Sequence, residues 1–349
     1  MDSNSSDSLG IVNELIFGRW KSRILYTGVV LGVFDALQPG GKSAAELVSE
    51  LKLDARMGYR LLRALASIDL LEENQEAKFS LSTQGLLLCK EHPANLRDVA
   101  LLQDGAEHTA IWKHLPEMVR EGWQNGFRRE FGSTAFAYAD GHPAYSAVFD
   151  AAMASYSAQQ TAAAVAALAD FDFTNIQTVC DIGGGRGTLL RGILQAQPHL
   201  RGIVFERSAV IAQSADYGPG ENELNQRCGF TAGDMFAAVS PADLSLLKLI
   251  LHDWDDAQCV RILGNARRAA LDAGHANAQL LIFEYVIPEP GQPHFSKLYD
   301  NHMMCWGDGR ERSVQQYGKL LELAGWKLHG FRAMPSVEMG IVEARLAAD

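Results

Sequence analysis

QTVCDIGGGRG, residues 177–187, decides the fold. An apolar run leads into Asp181-Ile182-Gly183-Gly184-Gly185-Arg186-Gly187, where glycines let the backbone turn sharply and let a ligand come close to it. That pattern predicts a buried strand ending at a ligand-binding turn. Three more apolar runs follow, RGIVFE (201–206), LSLLKLIL (244–251) and AQLLIFE (278–284), with the short run CGFTA (228–232) and helical segments between them. Runs of this kind are parallel strands buried on both faces. WKLHGFRAM (326–334) and EMGIVEARLA (338–347) are too close together for a crossover helix, so they pair antiparallel. The second half is therefore an α/β domain, a Rossmann-like doubly wound sheet with an antiparallel C-terminal edge.

Upstream the period changes. NELIFGRWKSRILYTGVVLGVFDAL (13–37) carries too many apolar residues for one solvated stripe, so this helix is expected to be buried, in part by a partner subunit. Ser43 and Glu46 form a capping box ahead of one helix, and Asp54 can cap the next. LLEENQEAKFSLS (70–82) reads as strand, turn, strand. Helix, helix, hairpin is a winged-helix outline, with Arg56, Arg60 and Arg63 on one face of the second helix. From about Ala110 to Leu168 the pattern is helical. The expected division is residues 1–105, mostly helical and winged-helix-like; 106–168, a helical linker and pocket segment; and 169–349, the sheet domain.

The chain has 349 residues, 47% of them hydrophobic, and a net charge of -11. Such acidity argues against nucleic acid or an anionic membrane as partner, since both are bound mainly by Lys and Arg. Residues 1–100 hold 11 basic and 13 acidic side chains, so the winged segment is better suited to subunit packing than to DNA. MDSNSSDSLG lacks a signal-peptide pattern and reads as a disordered tail. No apolar run is long enough to span a membrane. Five scattered cysteines show no metal-ligand spacing and suggest reduced, buried thiols in a cytoplasmic protein.

In open α/β sheets ligands bind at the carboxyl ends of the strands. The second strand ends at Glu206, 23 residues after Gly183, where a carboxylate can accept both ribose hydroxyls. This predicts an adenosine-containing cofactor, NAD or S-adenosylmethionine. The dinucleotide fingerprint wants a glycine at position 188, which is Thr, so the spacing favours the smaller cofactor. Asp234 can bond an adenine amino group while Met235 and Phe236 cover the ring.

DIGGGRG, Glu206, GDMF (233–236) and LKLILHDWDD (247–256), in that order, resemble the small-molecule O-methyltransferases of the caffeate-methylating plant type and their bacterial natural-product relatives. The resemblance covers nearly the whole chain. It implies S-adenosylmethionine as cofactor, an N-terminal dimerisation domain and a homodimer. It further implies Lys248 as a cofactor contact, Ser157 as the residue holding the methionine carboxylate, and Phe149 and Met153 as substrate-packing positions. Asp181, Gly183, Gly185, Glu206, Asp234, Met235 and Phe236 complete the cofactor set, with Trp254 as a packing candidate.

A phenol titrates near about 10, so methylating one at neutral pH is helped by a base. His252 stands just past a strand end, facing the ligand crevice, and an imidazole suits proton abstraction there. In the family this His, in HDW, is the base, and Glu284 and Glu311 correspond to the carboxylates flanking it. Asp253 would point elsewhere if the segment is extended. LYDNHMMCWGDG (298–309) offers aromatic and Met side chains for a flat acceptor, with Asn301 and Met304 as candidates. GRWKSRILY (18–26) resembles phenazine-methylating bacterial enzymes and tilts the acceptor toward a hydroxy- or N-hydroxy-phenazine. No metal is implied, because the carboxylates are not clustered for one. A hydroxylase or decarboxylase on the same scaffold, an N-methyltransferase and a transcription regulator are the competing readings.

Overall fold

The computed structural model describes residues 3–212 and 223–347. The chain divides into two compact units, Met1–Ala110 with Ala139–Tyr156, and Ile111–Tyr138 with Ser157–Asp349.

In the first unit the polar signals start the helices. Ser43 accepts the Glu46 N–H, Glu46 accepts the Ser43 N–H at 2.7 Å, and the helix Ala44–Glu50 begins there. Asp54 accepts the Met57 N–H at 2.9 Å and caps Ala55–Ala66. Strands β1 (Lys42–Ser43), β2 (Leu71–Glu73) and β3 (Lys78–Leu81) form an antiparallel sheet with β3 in the middle. The expected order of helix, helix and hairpin is thus present. Phe34, Leu37, Leu47, Leu62, Leu65 and Phe79 make the core beneath it. The opening helix runs Ser3–Val30. The polar start, expected to be a disordered tail, is from Ser3 onward its first turns. Elongating an existing helix is far cheaper than nucleating one, and Ser, Asn and Asp suit a helix N-terminus.

The second unit is built on seven strands: β4 (Thr178–Ile182), β5 (Arg201–Glu206), β6 (Cys228–Ala232), β7 (Leu244–Lys248), β8 (Gln279–Glu284), β9 (Trp326–Ala333) and β10 (Gly340–Leu346). Their order is β6-β5-β4-β7-β8-β10-β9. The first five are parallel. β10 pairs antiparallel with both β8 and β9, so the strand running against the rest is second from the edge. Alternation along the strands explains the two covered faces. Cys180, Ile182, Leu280 and Ile282 pack with Ile262, Leu263, Leu320 and Leu321 of the helices Asp256–Asp272 and Val314–Leu323. Val179, Leu281 and Phe283 pack with Ala164, Leu190, Ile193 and Leu194 on the other face. The strand order reverses between the paired neighbours β4 and β7, and in open sheets of this kind ligands bind outside the carboxyl ends of the strands at that point. All five cysteines are free and buried. Among the described residues no helix is long and apolar enough to cross a membrane.

Candidate active site

The glycine loop leaves β4 with Gly183, Gly185 and Gly187 all in the left-handed region, at φ 70°, 57° and 76°. Other residues adopt that conformation only at a cost. A side chain on Gly183 would strike Ile250, whereas Gly185 faces open space. The Gly185 N–H donates to Glu206 Oε2 at 3.1 Å, joining the loop to the end of β5. Gly187 then opens the helix Thr188–Ala196.

Asp181 is buried and its Oδ2 lacks a partner. Burial pushes its carboxyl up to about 7, against the pull of the nearby Lys248 ammonium. Lys248, at the end of β7, is lowered by burial, with Asp181 and Glu284 opposing. Its Nζ donates to Ser157 Oγ at 3.2 Å and Gln160 Oε1 at 3.0 Å. Ser157 and Lys248 are thus joined by a hydrogen bond, and Lys248 lies near enough to Asp181 to act on its carboxyl. Gln160, which the sequence did not single out, meets the same ammonium from one turn beyond Ser157.

Past β6 the Asp234 Oδ1 accepts the Phe236 N–H at 2.9 Å, closing the GDMF turn. Gly233 has the Phe205 ring against it and leaves no room for a side chain. Phe236 meets Trp254 edge to face at 4.8 Å, and Phe136 stacks on Trp254 at 6.1 Å. Met235 packs beside them on the sheet core, and its carbonyl accepts Asn265 Nδ2 at 2.8 Å. Phe136 was not foreseen, because a Phe in TAFAY carries no spacing signal.

His252 is 5% exposed and sits on the 3-10 turn Leu251–Asp253, not on an extended segment. That corrects the expectation for Asp253, whose Oδ1 lies 3.6 Å from His252 Nε2. Burial pushes the Asp253 carboxyl up to about 7. The other ring nitrogen, Nδ1, is 2.8 Å from Glu311 Oε1 and 3.6 Å from Glu284 Oε2. Glu284 turns its other oxygen to the turn itself, accepting the N–H groups of Ile250 (3.2 Å), Leu251 (3.0 Å) and His252 (3.4 Å). Burial, and next the Asp300 carboxylate, hold Glu311 well above the usual range. The carboxylates that sequence spacing left unclustered thus converge: His252, Glu284 and Glu311 are, among the described residues, a group compact enough to ligate an ion. Three backbone N–H groups take Glu284 Oε1 and Nδ1 takes Glu311 Oε1, an arrangement that orients an imidazole, while Oε2 of each glutamate has no hydrogen-bond partner.

The Tyr299 ring stacks at 6.2 Å from His252, and His302 lies beside Tyr299 at 5.2 Å. Burial, and then the neighbouring His252, depress His302 to about 4 and keep it neutral. Of the acceptor candidates, Asn301 donates its amide to the Lys297 carbonyl at 2.9 Å, one turn back on its own helix. The Met304 carbonyl accepts the Asn125 N–H at 2.9 Å. Phe149 and Met153 lie two turns and one turn before Ser157 on the helix Pro143–Ala167, in the part belonging to the first unit.

A family model described as the O-methyltransferase domain matches residues 112–327, and one described as the O-methyltransferase dimerisation domain matches residues 13–91. The phenazine O-methyltransferase PhzM of Lysobacter antibioticus is 36% identical, with 96% of this chain and 95% of that protein covered. The mitomycin biosynthesis 6-O-methyltransferase of Streptomyces lavendulae is 32% identical, with 96% and 94% covered. The SAH-bound structure of CalO1, a methyltransferase in calicheamicin biosynthesis, superposes with a TM-score of 0.84 at 30% identity and covers all of both chains. With the glycine loop, the carboxylate-held histidine and these matches together, the chain belongs to the O-methyltransferase family and is an enzyme that uses S-adenosylmethionine.

Proposed function

We propose that the enzyme methylates a hydroxyl on a planar aromatic small molecule, a hydroxy- or N-hydroxy-phenazine or a similar bacterial secondary metabolite, with His252 as the general base. The observation that carries the reading is the 2.8 Å contact between His252 Nδ1 and the buried Glu311. When Glu311 is ionised, this contact holds a proton on Nδ1 and leaves the Nε2 lone pair to accept the hydroxyl proton. When Nε2 is protonated, the adjoining carboxylates offset the charge on the ring. Glu284 and Glu311 act through His252, one fixing its backbone and the other its ring.

The cofactor residues fit S-adenosylmethionine. The unpartnered Asp181 Oδ2 and the ammonium of Lys248 suit its amino-acid end, together with Ser157. Gly183 and Gly185 keep side chains away from the ligand, and Gly185 borders open space. Glu206 at the end of β5 is proposed to hold the ribose, Asp234, Met235 and Phe236 the adenine, and Trp254 to pack against the cofactor. When bound, S-adenosylmethionine supplies an electrophilic methyl group on a sulfonium.

Phe149, Met153, Asn301 and Met304 are proposed to pack the acceptor, with Asn301 acting through its apolar face while its amide stays on Lys297. The phenazine class is supported by likeness to the Lysobacter enzyme over nearly the whole chain. Two copies are proposed to pair through the dimerisation domain, and the organisation into residues 1–105, 106–168 and 169–349 is retained as a division by role.

His252→Ala is the test. Cofactor binding, measured by calorimetry, is expected to stay near wild type, while turnover of a phenolic acceptor falls about 10²-fold or more. The wild-type product is expected to gain the mass of one methyl group. Unchanged turnover in the variant would remove His252 from the mechanism.

A further inference from the structure

We propose that Arg312 is a positioning residue for the base: its guanidinium fixes the turn Leu251–Asp253 so that the His252 ring meets Glu311. The proposal rests on the reading of His252 as base.

In sequence Arg312 belongs to GRERS (309–313) and looks like a solvated charge. In the structure it is fully buried. Its Nη1 donates to the Leu251 carbonyl at 2.8 Å and its Nη2 to the Trp254 carbonyl at 2.8 Å. Those two carbonyls bracket His252 and Asp253. Nη1 also donates to the Arg310 carbonyl at 3.3 Å. Nε and Nη2 reach Asp256 Oδ1 at 3.1 Å and 2.8 Å.

The turn is therefore held from both of its polar sides. Glu284 takes the N–H groups of Ile250, Leu251 and His252, and Arg312 takes the carbonyls that follow. An ammonium could not do this: a lysine is a point charge, whereas the planar fork of arginine spans two carbonyls and a carboxylate at once. Arg312 and Glu311 are also consecutive. The segment that anchors the turn is the one that delivers the carboxylate to Nδ1, so displacing the anchor changes the backbone and the ring partner of His252 together. A misplacement of about 1 Å at a reacting group can cost about 10²-fold in rate, which makes so rigid a mounting consequential.

Arg312→Lys keeps the charge and removes the fork. The expected result is a folded enzyme whose calorimetric affinity for S-adenosylmethionine stays within about twofold, whose kcat falls about tenfold or more, and whose acidic limb in the pH profile of kcat/KM is displaced. The deciding measurement is the double variant. In a His252→Ala background, Arg312→Lys is expected to cost no further activity, because the residue it positions is gone. Multiplying losses in the double variant, or a folded Arg312→Lys enzyme with wild-type kcat and pH profile, overturns the proposal. Wild-type turnover in His252→Ala alone overturns instead the reading on which it rests. If Arg312→Lys fails to fold, Asp256→Asn loosens the same guanidinium from a half-exposed position. It should lower kcat and displace the acidic limb in the same direction, and do neither in the His252→Ala background; an unchanged kcat and pH profile there counts against the proposal.

Discussion

Glu284 is a fully buried carboxylate with one oxygen accepting three backbone N–H groups and the other without a hydrogen bond, 3.6 Å from His252 Nδ1. Burial pushes its carboxyl up to about 7, as it does those of Asp181 and Asp253. In an unfolded chain a glutamic acid titrates near about 4.3. Between those two values the folded protein holds a proton that the unfolded chain has released, so this group makes stability fall as pH rises through the window. The penalty is absent below the unfolded value and complete above the folded one. Glu284→Gln keeps an acceptor oxygen for the turn and cannot ionise. The melting temperature of the variant minus that of wild type is therefore expected to become more positive from about pH 4.5 to 7.5, at roughly 1–2 °C per kcal/mol for a chain of this size. Thermal unfolding across that range checks it. A difference independent of pH would mean that the buried carboxyl ionises in the fold at no cost.

At the scale of elements, the loop between the helix Phe295–Trp306 and Ser313 forms the mount for His252. Gln124 donates to the Gly307 and Gly309 carbonyls at 3.0 and 2.8 Å, and Asn125 Nδ2 to Asp308 Oδ1 at 2.8 Å. Gly309 is pressed against the His252 carbonyl so closely that an added methyl would overlap it, whereas one on Gly307 would meet nothing. Gly309→Ala is expected to cost about 1–3 kcal/mol in stability through overpacking and to lower kcat by displacing the turn. Gly307→Ala should keep the wild-type melting temperature. A Gly309→Ala enzyme as stable and active as wild type would show that the loop can yield. Much of the sheet was legible in the sequence because strands buried on both faces must be apolar throughout, and its glycine loop because the left-handed turns tolerate little else. The mount was not. Gln124 and Gly307 are 183 residues apart, and Arg312 is an ordinary charge until its carbonyl partners fold around it. Nor does HDW reveal that the chain makes a 3-10 turn bringing Asp253 to Nε2, since a one-residue spacing fixes no direction.

For the whole molecule, charge and exposed apolar surface point the same way. A net charge of -11 opposes indiscriminate association by like-charge repulsion, so an apolar face left open on such a chain calls for a specific cover. The opening helix presents one: Leu15 is 78% exposed, Ile16 60% and Trp20 56%, all inside the span matched by the dimerisation-domain model. Contiguous exposed apolar surface of this kind marks an association site. If a second copy covers it through a two-fold interface, each substitution enters the interface twice. An unpaired carboxylate buried there costs at least about 2 kcal/mol per site, and about 1.4 kcal/mol is tenfold in Kd, so Leu15→Asp should weaken pairing by more than 10²-fold. Sedimentation at micromolar protein is expected to give wild type twice the 38.1 kDa chain mass and Leu15→Asp the mass of one chain, with the far-ultraviolet spectrum of both unchanged. A monomeric wild type, or a variant that still sediments as a pair, would show that this face serves something other than a second copy of the chain.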